Sequence, residues 1–438
     1  MLTNAQIEQM SYELVPLFQD LEQDTIKDIA RRVEKSKRWT ESAEIEARSL
    51  RDLGYSPAKI RSEVMKKLNA DPEYKQMIAD NTIEYKQKVK ARISDTVSEA
   101  KKQGNELIAN AGNMSFSGDL AFWSTRARKV ASKSHLATIN KTFSKRMNDE
   151  LNTLSHSLGF RLGTGEYVPL SKAYNKATDR TIVSVASGTT SVSEAVQNAV
   201  NELEKSGIRK IDYASGISRN VDTAVALSTR TTISQMTGSI AMDNADVMDE
   251  DLVEVSSHTG ARNEGEGPAN HASWQGKVYS ISGRPHIEES ERLGYDIQKL
   301  SEVTGYPDNP AGLMGYNCRH SFYTFFEGIS TPNPMAKDPD PVVVDGKKYD
   351  YYHAKQHQRQ IERQLRTAKR QYIGGNTSQL AMIKAKEQEY ARFCKKVDLK
   401  QNLNALYVNG YKRDFAYIKE GTIEDRLRKI IGVDDKGL

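Results

Sequence analysis

At 438 residues, with 37% hydrophobic, 28% charged and 8% aromatic positions, the chain is long enough for two or three domains and lies on the polar side of globular composition. A mean hydropathy of -0.66 and the lack of any run near the ~20 apolar residues of a spanning helix argue against a helical membrane protein. The first ten residues carry no secretory pattern, and two cysteines are too few for a disulfide framework, so a soluble protein of a reducing, cytosol-like compartment is expected. The net charge of +5 averages larger imbalances: residues 351–400 hold 12 Lys/Arg against 4 Asp/Glu, whereas residues 241–270 hold 1 against 8.

Residues 4–112 are rich in Glu, Lys, Gln and Ala, which predicts successive helices. Leu14, Phe18, Leu21, Ile26 and Ile29 recur at helical spacing. A break at Leu53-Gly54-Tyr55 precedes a helix capped by Ser56, with Pro57 in its first position and Ile60, Val64 and Leu68 on its buried face; Asp71-Pro72 opens the next. Residues 74–111 are thinly hydrophobic, so their helix needs neighbours or partner chains. Gly and Ser after this stretch suggest a division, giving a helical arm over 1–112 and a helical middle region over 113–214.

Residues 125–146 carry seven Lys/Arg and no acid. An exposed basic face is expected there, with Arg126, Arg128 and Lys129 as candidate DNA contacts. Amphipathic helices follow over 193–206, ending at Gly207, and over 218–242. At Asp251 the pattern changes: 252–255, 277–281 and 321–326 read as strands around a glycine-rich loop at 260–270. Residues 215–331 are therefore expected to form a small mixed domain. Four of the chain's 12 prolines fall in 332–341, marking a connector over 332–345.

A basic helical hairpin is predicted over 346–420. Ile361, Leu365, Ala368 and Tyr372 stripe its first helix, Gly374-Gly375-Asn376 makes the turn, and Leu380, Ile383, Tyr390, Cys394 and Val397 stripe the return. Arg363, Arg366, Lys369 and Arg370 are its candidate DNA contacts, acting through counterion release rather than base reading. A polar tail over 421–438 ends the chain. The expected fold class is α+β and predominantly α-helical: an extended helical N-terminal half, a small mixed α/β domain with a few short strands, and a C-terminal helical hairpin.

The mixed domain gathers four of the eight histidines and one of the two cysteines within 63 residues. Cys318 and His320, two apart in a strand, would share a face. With His258 and His271 they make a candidate metal set of three imidazoles and one thiolate, for which zinc is the favoured ion. The competing reading makes Cys318 a small buried hydrophobe and the histidines hydrogen-bonding partners of loop carbonyls. A metal-dependent hydrolase or nuclease using the same four residues is the alternative function. Against it stand the absence of HExxH, GxSxG and P-loop patterns and of a well-placed general base, since Glu264 and Glu266 sit on the glycine-rich loop.

Three blocks then carry a resemblance: Asp251-Leu-Val-Glu-Val-Ser-Ser-His258-Thr-Gly-Ala-Arg262, His271-Ala-Ser-Trp274-Gln275-Gly276-Lys-Val-Tyr-Ser280, and Gly315-Tyr-Asn317-Cys318-Arg319-His320-Ser-Phe-Tyr. In this order they resemble the phage minor capsid protein 2 family, itself related to the Mu F-like head morphogenesis proteins. The resemblance covers roughly residues 215–418; the N-terminal half is similar only in being helical. Two departures fall in loops, an insertion at 264–270 and a long connection at 283–312.

The resemblance implies a non-enzymatic structural protein of a tailed-phage head, with the virion, near the portal in the head interior, as its place and the host cytoplasm as its site of assembly. Implied partners are the portal protein and the scaffold or major capsid protein, with non-specific duplex DNA contacted during assembly, packaging or ejection.

Overall fold

The computed structural model describes residues 2–126, 128–163, 165–187, 190–211, 218–374 and 376–411. The 421–438 tail and Gly375 lie outside the described residues.

The N-terminal half is built from α1 (Asn4–Met10), α2 (Val15–Lys35), α3 (Lys37–Asp52), α4 (Pro57–Ala70), α5 (Pro72–Ser124) and α6 (Lys133–Ser155). Local chemistry sets the boundaries. Ser56 accepts the Lys59 N–H and Asp71 accepts those of Glu73 and Tyr74, each with proline next in sequence. The predicted stripes Leu14 to Ile29 and Ile60 to Leu68 are buried. The helix α5 runs unbroken for 53 residues, through the division suggested near residue 112. Gly112 works as a crossing point instead: a Cβ there would lie 2.1 Å from the Asn140 amide oxygen of α6, and one at Gly104 would lie 3.1 Å from Met147. The pairings place α6 antiparallel to α5. Close approach compensates the helix penalty of glycine, about 1 kcal/mol each relative to alanine.

Next come β1 (Leu158–Leu162), β2 (Glu166–Pro169), α7 (Leu170–Ala186), α8 (Val192–Ser206), β3 (Arg209–Ile211), β4 (Ser218–Asn220) and α9 (Val221–Val247). The four strands form an antiparallel sheet in the order β2-β1-β3-β4. One apolar core extends from Leu2 through Tyr85, Leu107, Met147 and Tyr174 to Ile240, so the expected arm and middle region share an interior. Most of α5 finds the neighbours that its thin hydrophobicity demands, although Ile83, Leu120 and Phe122 stay exposed.

Then follow β5 (Leu252–Val255), α10 (His271–Trp274), β6 (Val278–Ser280), α11 (Ile287–Leu293), α12 (Leu300–Thr304) and β7 (Phe322–Phe325). Here β5 is the centre of a three-stranded antiparallel sheet, β6-β5-β7, where the three sequence-predicted strands lie. The proline-rich connector hides a hairpin, β8 (Val342–Val344) and β9 (Lys347–Tyr349), turned by Asp345 and Gly346, both with positive φ. Last are α13 (Tyr351–Ile373) and α14 (Gln379–Lys396), joined through Ile361, Leu365, Ile383, Tyr390 and Cys394. Among the described residues no helix is long and apolar enough to cross a membrane.

Candidate functional site

The blocks meet beyond one end of β5. The Ser256 N–H donates to the Ser321 carbonyl and the Ser321 N–H to the Ser256 hydroxyl, at 2.8 and 3.0 Å, so the segments after β5 and before β7 run side by side. Gly276, at φ +68°, turns the chain out of α10 and donates to Val255 at 3.0 Å. Trp274 is buried, its indole N–H donating to Pro268 at 3.1 Å. Cys318 and His320 precede β7, so their proximity does not come from the pleat of a strand. It comes from a turn in which Asn317 takes φ +61°, a value asparagine tolerates.

His271, Cys318 and His320 are all buried and each presents a ligand atom, the three lying within 4.8 Å of one another. Their proton positions follow from their partners. The His258 backbone N–H donates to Gln275 Oε1 at 3.0 Å, which makes that oxygen an acceptor. His320 Nε2, also 3.0 Å away, must therefore donate to it, leaving the Nδ1 lone pair 3.5 Å from Cys318 Sγ. His271 Nε2 donates to the Ala311 carbonyl at 2.8 Å, leaving its Nδ1 with the lone pair. Burial pushes the His271 imidazole down to about 4 and the His320 imidazole well below its ordinary value, while it pushes the Cys318 thiol up to about 11. At neutral pH both imidazoles are thus in the neutral, ligating form.

His258 does not join this group. Its ring stacks on that of His320 with centroids 4.2 Å apart, Nδ1 donates to Thr259, and Nε2 is buried without a partner. Of the four candidate ligands, the fold therefore converges three. His286 is held elsewhere, between Asp251 and Glu327 at 2.9 Å each. Neither candidate base approaches the group: Glu266 is exposed, and Glu264 pairs with His353 at 3.1 Å.

A pocket of about 210 Å³ opens beside the group, lined by His258, His271, Arg262, Arg319, Asn317 and residues of α13. The long connection at 283–312 contributes here, because Ala311 accepts from both His271 and Arg262. Lys355 and Arg359 of α13 reach the pocket, although sequence reasoning singled out neither. Their signal was the basic repeat at 355, 359 and 363, one residue per helical turn.

The candidate DNA contacts divide. Arg126, Arg128, Lys129 and Arg363 are exposed. Arg366, Lys369 and Arg370 are not free to meet a duplex: Arg366 is paired with Asp222 at 3.3 Å, Lys369 with Glu387 at 3.6 Å and the Leu406 carbonyl at 3.1 Å, and Arg370 with Glu22 at 3.5 Å. These three sit on the face of α13 that packs inward, which a charge count cannot distinguish from the outward face.

This arrangement defines a class, a helix-dominated α+β chain whose small antiparallel sheet carries a buried His/Cys group at the junction of three sequence blocks. The profile of the family described as phage minor capsid protein 2 matches residues 2–402. The chain belongs to that family, and the match reaches through the N-terminal half, beyond the 215–418 stretch that carries the resemblance. It is a structural component of a phage capsid, located in the virion and working against other virion proteins. No curated protein and no solved structure matches it.

Proposed function

We propose that this chain is a non-enzymatic head-morphogenesis component that sits at the portal inside the head of a tailed phage, meets the portal, scaffold or major capsid protein through its helical half, and contacts packaged duplex DNA. The observation that carries the DNA contact is the state of residues 125–146. All seven Lys/Arg there are exposed, and among the described residues only Lys145 is ion-paired, to Asp149 at 2.9 Å. An exposed apolar corner between α3 and α4, formed by Ile45, Leu53 and Tyr55, supports a protein partner for the helical half.

Purified procapsids and virions, assembled with and without the gene, test the placement: mass spectrometry should find the chain in the first set, and its absence from both particles would overturn the reading. For DNA, filter binding to an arbitrary duplex should weaken linearly on a log–log salt plot. Alanine at Arg126, Arg128 and Lys129 should flatten the slope by about 0.9 for each phosphate that is no longer neutralised; a salt-independent affinity is the contrary result.

One observation favours a second component of this role. His271, Cys318 and His320 present two carbonyl-anchored imidazoles and a thiol, the outer-shell pattern of ligating histidines. We propose that these three hold a zinc ion, which would cross-link the second block to the third and fix the end of the sheet. The hydrolase alternative gains no support from the pocket, because among the described residues no carboxylate lines it.

A further inference from the structure

The pocket between the loop after β5, the 317–319 turn and α13 has cationic walls that the fold compensates only in part. Arg262, Arg319, Lys355 and Arg359 line it, and among the described residues no carboxylate does. Arg319 meets Glu8 of α1 at 2.7 Å, but the same carboxylate oxygen serves Arg230 at 2.7 Å. Arg262 donates to the carbonyls of Ala311 and Tyr316 at 3.4 and 3.2 Å, and Lys355 donates to that of Thr259. Arg359 feels Glu8 and Glu362 only through space, with no direct hydrogen bond or ion pair to either among the described residues, and the buried Nε2 of His258 has no partner there.

The nearest acids act on these cations from a distance, Asp338 on Lys355 and Glu8 and Glu362 on Arg359, and spend their direct hydrogen bonds elsewhere. Asp338 accepts the Gly260 N–H at 2.6 Å and Glu362 accepts the Tyr390 hydroxyl at 2.9 Å. Lys355 and Arg359, one helical turn apart, repel each other. Burial, followed by Arg319 and Arg359, pushes the Lys355 ammonium down to about 8, and burial, followed by Arg319 and Arg230, pushes the Arg359 guanidinium down.

We propose that this pocket binds a phosphate dianion, either inorganic phosphate or the terminal phosphate of a nucleic-acid strand. A carboxylate offers one charge and two oxygens, whereas this pocket presents donors from three chain segments and four cationic groups. A compact tetrahedral oxyanion with two charges satisfies more of them at once, and guanidinium groups suit it by their forked geometry. The pocket volume admits a phosphate group and excludes a duplex side-on, so this site is separate from the surface contact proposed for residues 125–146. The anion would tie α13 to the 317–319 turn, joining the C-terminal hairpin to the mixed domain.

Thermal melting of the full chain tests the inference. Inorganic phosphate should raise the midpoint relative to chloride at matched ionic strength. Arg359→Gln should weaken phosphate binding by about tenfold to a hundredfold, as expected when one charged hydrogen-bonding partner is removed. Because Arg359 makes no direct ion pair or hydrogen bond among the described residues, and burial with Arg319 and Arg230 disfavours its charge, the unliganded variant should melt at or above the wild-type midpoint, which separates weakened binding from misfolding. Lys355→Gln should weaken binding in the same direction. Competition by a 5′-phosphorylated trinucleotide, and not by its dephosphorylated form, would assign the strand end as the source; no competition by either would assign free phosphate. Equal midpoints in phosphate and chloride, or a wild-type response in Arg359→Gln, would overturn the proposal.

Discussion

Exchanging Arg370 for alanine is expected to cost about 3–5 kcal/mol of folding stability, the penalty for removing one partner of a buried ion pair. The side chain is 7% exposed, lies 3.5 Å from Glu22 on α2, and donates to the Glu204 carbonyl of α8 at 3.3 Å. With Arg366 on Asp222 of α9, it clasps the C-terminal hairpin to three helices of the large core. Chemical denaturation reads the loss. Arg363→Ala, on the same helix but exposed, should change stability by about 0.5 kcal/mol or less.

The pH dependence has a definite sign. Burial, and then Glu22, pushes the Glu204 carboxyl from 4.5 up to about 8. The folded chain keeps a proton there that the unfolded chain releases above about 4.5, so this contribution is intact below that pH and is lost as pH rises toward about 8. Without Arg370, which favours the charged form, the window extends upward and the variant should lose more stability at pH 8 than at pH 5. A cost independent of pH, or below about 1 kcal/mol, would show that the clasp is not a buried ionic contact.

The second large effect is expected at the group of His271, Cys318 and His320. Elemental analysis of the purified full chain should find about one zinc per chain, the stoichiometry of a mononuclear site, and Cys318→Ala with His320→Ala should find none. His258→Ala should retain the metal, because that ring stacks on His320 outside the converging group. The single variant thus distinguishes three converging ligands from the four-ligand set suggested by spacing. Equal zinc in the wild type and the double variant would remove these residues from consideration and leave a hydrogen-bonded cluster that fixes the two blocks without an ion.

Much of this architecture is legible in one dimension because local rules dominate it. Ser56-Pro57 and Asp71-Pro72 announce helix starts, and the aliphatic and aromatic runs at 252–255, 278–280 and 322–325 announce strands. The four-stranded sheet is not legible, since Arg209–Ile211 and Ser218–Asn220 are three residues each and show no alternation. The hairpin at 342–349 did have a signal, Asp345-Gly346, masked by the prolines before it. Gly112 reads as a break because a sequence does not show that another helix passes against it.

At the site, the residue types were visible and their convergence was not. His258 and His271 stand at either end of a loop, yet only His271 points into the group. Lys369 and Arg363 contribute equally to a charge count, whereas the packing of α13 buries one and exposes the other. Arg359 gains its interest from sharing one pocket with Arg262, Arg319 and Lys355, which only the tertiary fold can show.

The unbroken helix α5 has a mechanical consequence. At 1.5 Å per residue its 53 residues make a strut about 80 Å long. Its first turn is gripped by the small core of α3, α4 and α7 through Tyr74, while near its last turn Trp123 stacks edge-on against Phe326 beyond β7 at 5.5 Å. A load applied at the α3–α4 corner is carried lengthwise along one continuous ladder of peptide hydrogen bonds to the neighbourhood of the three-stranded sheet. A continuous helix of this length sets the spacing between those two ends.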